Sequence, residues 1–104
     1  MALSNTIIGT TPTDIVSGTE TQSFAVVGLY FCNFTASGEH LSIFCMQSGE
    51  VASNNNAIIK NLAITGHTTL HFPNEKFILG NGERIAGSGR YGDRVTASTS
   101  YIEI

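Results

Sequence analysis

Apolar and polar residues alternate with a period near two along most of this chain, and Gly, Pro, Asn or Ser breaks the alternation at roughly 8–12-residue intervals. Short strands are predicted at residues 6–8 and 14–16, separated by Gly9 and Pro12. Residues 22–34 are apolar on both parities, as in a central strand covered on both faces. Residues 40–47 place Leu41, Ile43 and Cys45 on one face and Ser42 and Phe44 on the other, and residues 48–56, with Gly49 and Asn54-Asn55-Asn56, read as a loop. Residues 57–64 are predicted to share one face among Ile58, Leu62 and Ile64, with Lys60 as a flaw in it. Further strands are predicted at 68–72, 76–79, 83–90 and 94–104, with turns at Thr65-Gly66, Pro73-Asn74 and Gly80-Asn81-Gly82.

Three hairpins follow from adjacency: 22–34 with 40–47, a reversal at Asn81-Gly82, and 83–90 with 94–104 around Gly87–Asp93. A helix over residues 53–62 is disfavoured by its three Asn and the adjacent Ile58 and Ile59. The predicted fold is all-β, a small antiparallel sandwich of roughly eight strands with jelly-roll or immunoglobulin-like connections. Residues 1–13 are expected to form an N-terminal arm or edge strand, and 14–104 a single sandwich domain.

Composition sharpens this picture. The 104 residues carry 41% hydrophobic but only 12% charged side chains, about half the usual ~25%. Ser, Thr, Asn and Gly fill the polar positions. A surface so poor in charge has little protection against association, which suggests that much of it meets other protein. The net charge is −3, and Lys60, Lys76, Arg84, Arg90 and Arg94 are scattered singly, which argues against nucleic-acid binding. No apolar run approaches the ~20 residues of a membrane-spanning helix, so no membrane partner is expected. Met1-Ala2-Leu3-Ser4-Asn5 lacks the charged and apolar segments of a secretion leader, which predicts synthesis in the cytosol.

Candidate chemistry fails on spacing. Gly87-Ser88-Gly89-Arg90-Tyr91-Gly92 matches the dinucleotide-binding glycine pattern, but a strand is predicted after it, where that site needs a helix. His67 and His71 on a strand lie ~13 Å apart, too far to share a metal ion. No Gly-x-Ser-x-Gly elbow marks a nucleophile, and the carboxylates fall mostly in turns and strand ends. Cys32 and Cys45, placed in the predicted hairpin, project to opposite sides of the sheet and are read as buried free thiols. Asn33-Phe34-Thr35 is a glycosylation triplet without meaning in a chain that is not secreted. No cofactor is expected and the chain is not expected to be an enzyme.

A resemblance runs through nearly the whole chain, from about Ile8 to Ile104. It is carried by Val26-Val27-Gly28-Leu29-Tyr30-Phe31-Cys32-Asn33, Asn56-Ala57-Ile58-Ile59-Lys60-Asn61-Leu62-Ala63-Ile64 and Thr68-Thr69-Leu70-His71-Phe72. It continues through Glu75-Lys76-Phe77-Ile78-Leu79, Gly80-Asn81-Gly82-Glu83-Arg84-Ile85-Ala86-Gly87 and the hydroxyl-rich end Arg94-Val95-Thr96-Ala97-Ser98-Thr99-Ser100-Tyr101-Ile102-Glu103-Ile104. The chain resembles the small β-sandwich virion proteins of tailed bacteriophages, especially of aquatic and cyanobacterial hosts, with Glu83 where their hairpin has Asp. The resemblance implies a structural place in the virion, as a capsid decoration (cement) protein stabilising the head, or as a neck or tail-fibre module contacting a host receptor. It implies the major capsid protein or another virion protein as partner and a homo-oligomer, guessed as a trimer, and it transfers no catalytic residue. The expected contact residues are Leu3, Ile7 and Ile8 as apolar anchors of the arm, Asn54 and Asn55 in the long loop, and Arg90, Tyr91, Asp93 and Arg94 at the Gly-rich tip.

Overall fold

The computed structural model describes residues 2–72 and 77–104. Nine strands carry the fold: β1 (Ala2–Ile8), β2 (Thr13–Ser17), β3 (Phe24–Asn33), β4 (Glu39–Met46), β5 (Ala57–Ile64), β6 (Thr69–Phe72), β7 (Phe77–Leu79), β8 (Arg84–Gly89) and β9 (Val95–Glu103). They form two antiparallel sheets. The first has the order β1-β9-β3-β6, with β7 also on β3, and the second has the order β2-β8-β4-β5. The expected Pro73-Asn74 turn and the start of the strand at Lys76 lie outside the described residues.

The pairing is nested. β1 pairs with β9, β2 with β8, β3 with β6 and β7, and β4 with β5, as though one long hairpin were wrapped around the barrel axis. Among the two expected connection schemes this is the jelly roll. Each sheet is hydrophobic on one face, and two such faces pack together. Val26, Leu29, Phe31, Val95 and Ala97 of the first sheet meet Ile15, Leu41, Ile43 and Ile85 of the second in one core.

The nesting overturns the three expected hairpins. β3 and β4 belong to different sheets, as do β7 and β8, and β8 and β9. The short turns after Asn33, Leu79 and Gly89 carry the chain across the sandwich instead of back along a neighbour. At Asn81-Gly82 a tight two-residue hairpin needs φ > 0 at both positions. Only Gly82 has it, at 76°. β4 and β5, consecutive neighbours in the second sheet, are joined by residues 47–56.

The uneven pattern of residues 57–64 has a local cause. Two register shifts interrupt the β4–β5 ladder, which pairs Leu62 with Leu41 but Ile59 with Ile43. Asn61 takes φ 53°, and its N–H donates to the Ser42 hydroxyl at 3.0 Å. A bulge resets parity, so Ile59, opposite Ile43, shares the inner side with Leu62, opposite Leu41. Lys60 lies outside, 5.8 Å from the centre of the Phe44 ring.

Candidate functional site

The crossings collect four connections at one end of the sandwich: residues 9–12, 34–38, 65–68 and 90–94. They are bound to one another by the main chain. Gly89 N–H donates to Gly9 O (2.9 Å), Asp93 N–H to Ile8 O (2.8 Å), Phe34 N–H to Arg94 O (3.0 Å) and His67 N–H to Thr35 O (2.9 Å).

Two buried polar side chains organise this end. Glu39, 1% exposed, is the first residue of β4 and points inward beneath the 90–94 loop. Its Oε1 accepts the N–H groups of His40 (2.8 Å) and Tyr91 (3.0 Å), and its Oε2 accepts those of Tyr91 (3.2 Å) and Gly92 (3.0 Å). Only glycine fits above it, because a Cβ on Gly89 would lie 2.6 Å from Oε2. Asn33, fully buried, donates from Nδ2 to the carbonyls of Ser37 (2.8 Å) and Ile64 (3.1 Å) and accepts at Oδ1 from the Thr35 N–H (3.1 Å) and hydroxyl (2.8 Å). The glycosylation triplet is therefore a structural turn whose acceptor nitrogen is fully engaged.

On this foundation Tyr91 stands half-exposed between two guanidinium groups. Arg94 lies 4.5 Å and Arg90 5.5 Å from its ring centre. Arg94 also donates from Nη1 to the Gly38 carbonyl at 2.7 Å. Phe34, 46% exposed, adds a second aromatic group to the same end. Of the expected contact residues, Arg90, Tyr91, Asp93 and Arg94 thus come together on a loop pinned from below. Asn54 and Asn55 are exposed at the opposite end, in the connection between β4 and β5.

Leu3 and Ile7 lie elsewhere again, on the outer side of β1, 73% and 54% exposed. Ile8 is the exception and corrects the expectation: it has the opposite parity in the pleat and is 1% exposed in the core. Leu3, Asn5 and Ile7 continue across the outer face of the first sheet into Thr96, Ser98 and Ser100 of β9, then Tyr30 and Cys32 of β3, and His71 and Thr69 of β6. Tyr30 stacks on His71 with centroids 3.9 Å apart. This face carries no Asp, Glu, Lys or Arg among the described residues. The second sheet's outer face differs. Residues 47–56 fold across part of it, packing Ala52 over Phe44 and Met46, and Arg84 meets Asp14 at 3.3 Å.

Cys32 faces outward on the first sheet and Cys45 inward on the second; both are free thiols as expected, but half-buried where burial was expected. Burial pushes the Cys45 thiol above its usual range. An apolar cavity of about 350 Å³ opens between the sheets near β5 and β7, lined by Leu29, Phe31, Ile43, Ile58, Ile59, Phe72 and Phe77. No group of three or more His, Cys, Asp or Glu side chains converges as a metal site among the described residues, and no described helix is long and apolar enough to cross a membrane.

Sequence reasoning missed Glu39, Asn33, Phe34 and the cavity. A signal for Glu39 existed in the glycine at position 89, but it becomes legible only once the two residues are known to meet. No family model, curated protein or solved structure matches this chain.

Proposed function

We propose that this chain is a structural protein of a tailed-phage virion, a decoration protein that binds the outside of the head and stabilises it. The observation that carries the reading is the outer face of the first sheet: a broad hydroxyl-bearing surface without a formal charge among the described residues, bordered by exposed Leu3 and Ile7. Such a surface forms wet, hydrogen-bonded contacts over a wide area without the cost of desolvating ions. The resemblance read from the sequence points the same way, and the major capsid protein is the partner this reading names. Heads assembled without the chain should lose thermal and osmotic stability and regain it when the purified protein is added. Unchanged stability, with no density on the shell in images of complete particles, sinks the reading.

A second reading, a tail or neck module that touches a host receptor, is favoured by the pinned loop end. There Tyr91 and Phe34 offer aromatic faces, and Arg90 and Arg94 offer donors for glycan hydroxyl or acid groups. A glycan array separates the two. Binding that disappears in Tyr91→Ala supports the receptor module, and an array at background removes it.

A further inference from the structure

We propose that the free edge of β1 pairs with β1 of a second copy of this chain, antiparallel about a two-fold axis through Asn5, joining the two first sheets into one. Sheet edges are templates for pairing, and proteins blunt them with bulges, charges, Pro or short length. Among the described residues three of the four sandwich edges are blunted in this way. β2 follows Pro12, carries Asp14 and has a register shift between Asp14 and Val16. β5 carries Lys60 and two register shifts. The remaining edge of the first sheet is divided between β6, four residues, and β7, three.

β1 has none of these features. Its seven residues, Ala-Leu-Ser-Asn-Thr-Ile-Ile, contain no charge and no Pro, and they pair with β9 through seven successive positions without a shift. The strand is also complementary to itself. An axis through Asn5 sets Leu3 opposite Ile7 of the second copy, and Ser4 opposite Thr6, twice each. The two most exposed apolar side chains of β1 then cover one another. Opposed apolar pairs and Ser–Thr pairs are favourable across antiparallel strands, and a two-fold contact of one patch with itself closes at two copies. The joined sheet would extend the uncharged outer face across both copies. The dimer is read on the isolated protein and stands whether or not the virion reading survives.

Sedimentation over a concentration series should show the 11.1 kDa chain doubling in mass. The exposed double substitution L3K/I7K sets Lys against Lys at both apolar pairs and should weaken the dimer by at least about tenfold, with an unchanged far-ultraviolet spectrum. Mixing it with L3E/I7E should restore a dimer. On the unaltered protein, amides of residues 2–8 should exchange more slowly with solvent at high than at low protein concentration. A chain that stays monomeric throughout overturns the proposal. So does a dimer indifferent to L3K/I7K, or any oligomer whose β1 amides stay unprotected.

Discussion

The two ends of the sandwich are held together by different means. At the end formed by residues 9–12, 34–38, 65–68 and 90–94, the organising side chains are Glu39 and Asn33, both buried and each reaching groups distant in sequence. At the other end the polar ties are mostly local and partly exposed. Glu50 accepts the Gln47 N–H (2.7 Å), Glu83 accepts the Gly80 N–H (2.8 Å), and Asn56 accepts the Ser53 N–H (3.0 Å). Among these side chains Arg84, donating to the Glu50 carbonyl at 2.7 Å, is the long-range exception. The difference teaches which loops are rigid. A buried acceptor cannot exchange its donors for water, so its loss costs the desolvation of each donor it leaves; an exposed one is replaced by solvent at small cost. The exposed Arg90–Arg94 tip is therefore the better-defined surface, although its Gly-rich sequence reads as the more flexible one.

The largest effect expected is from Glu39→Ala, which strands three backbone N–H groups and should cost about 3 kcal/mol in urea unfolding. Gly89→Ala should cost a similar amount, and the double variant distinctly less than the sum, because the Cβ then has no carboxylate to meet. Full additivity would show that the two do not act through one contact.

Gly18→Ala tests a place where the end opposite Glu39 is packed as closely. Gly18 N–H donates to Glu83 O, and a Cβ there would fall on the Gly80 carbonyl, so the backbone must move. A loss of about 2 kcal/mol is expected. A neutral result would mean that this crossing is loosely packed. Glu83→Ala removes only a local, partly exposed acceptor and should cost about 1 kcal/mol or less by the same measurement. A cost equal to that of Glu39→Ala would erase the contrast between the ends.

The smallest effect is electrostatic. Burial raises the Cys45 pKa in the folded chain, so the unfolded chain gives up the proton first as pH rises. The stability this group contributes is complete below the ordinary thiol pKa of about 8.5 and is lost above it. Unfolding free energy should therefore fall slightly more steeply above that pH in the native chain than in Cys45→Ala. Identical slopes would remove Cys45 as the cause.

Much of the candidate surface was readable before the fold. Arg90, Tyr91 and Arg94 are close in sequence, so any turn there gathers them. Leu3 and Ile7 share a parity that puts them on one side of any strand. Glu39 was not readable, because its loop partners Tyr91 and Gly92 lie more than 50 positions away and a carboxylate at the start of a strand ordinarily faces water. Ile8 was misplaced because three apolar residues near a terminus look alike until the pleat assigns each to a side. Ile59 was left off the inward face of β5 because the Asn61 bulge changes parity without any departure in composition.

By itself the sequence determined that the chain is all-β and roughly where its strands and turns fall. Period-two alternation and turn chemistry are local properties, and nine strands follow from them closely. Only the tertiary structure decided which strands are neighbours. Six of the eight connections, all but β4–β5 and β6–β7, cross from one sheet to the other. A turn residue sets where the chain reverses, but whether the next strand pairs with the last or packs opposite it depends on burying both apolar faces at once. That condition is met by the whole sandwich and by no single segment.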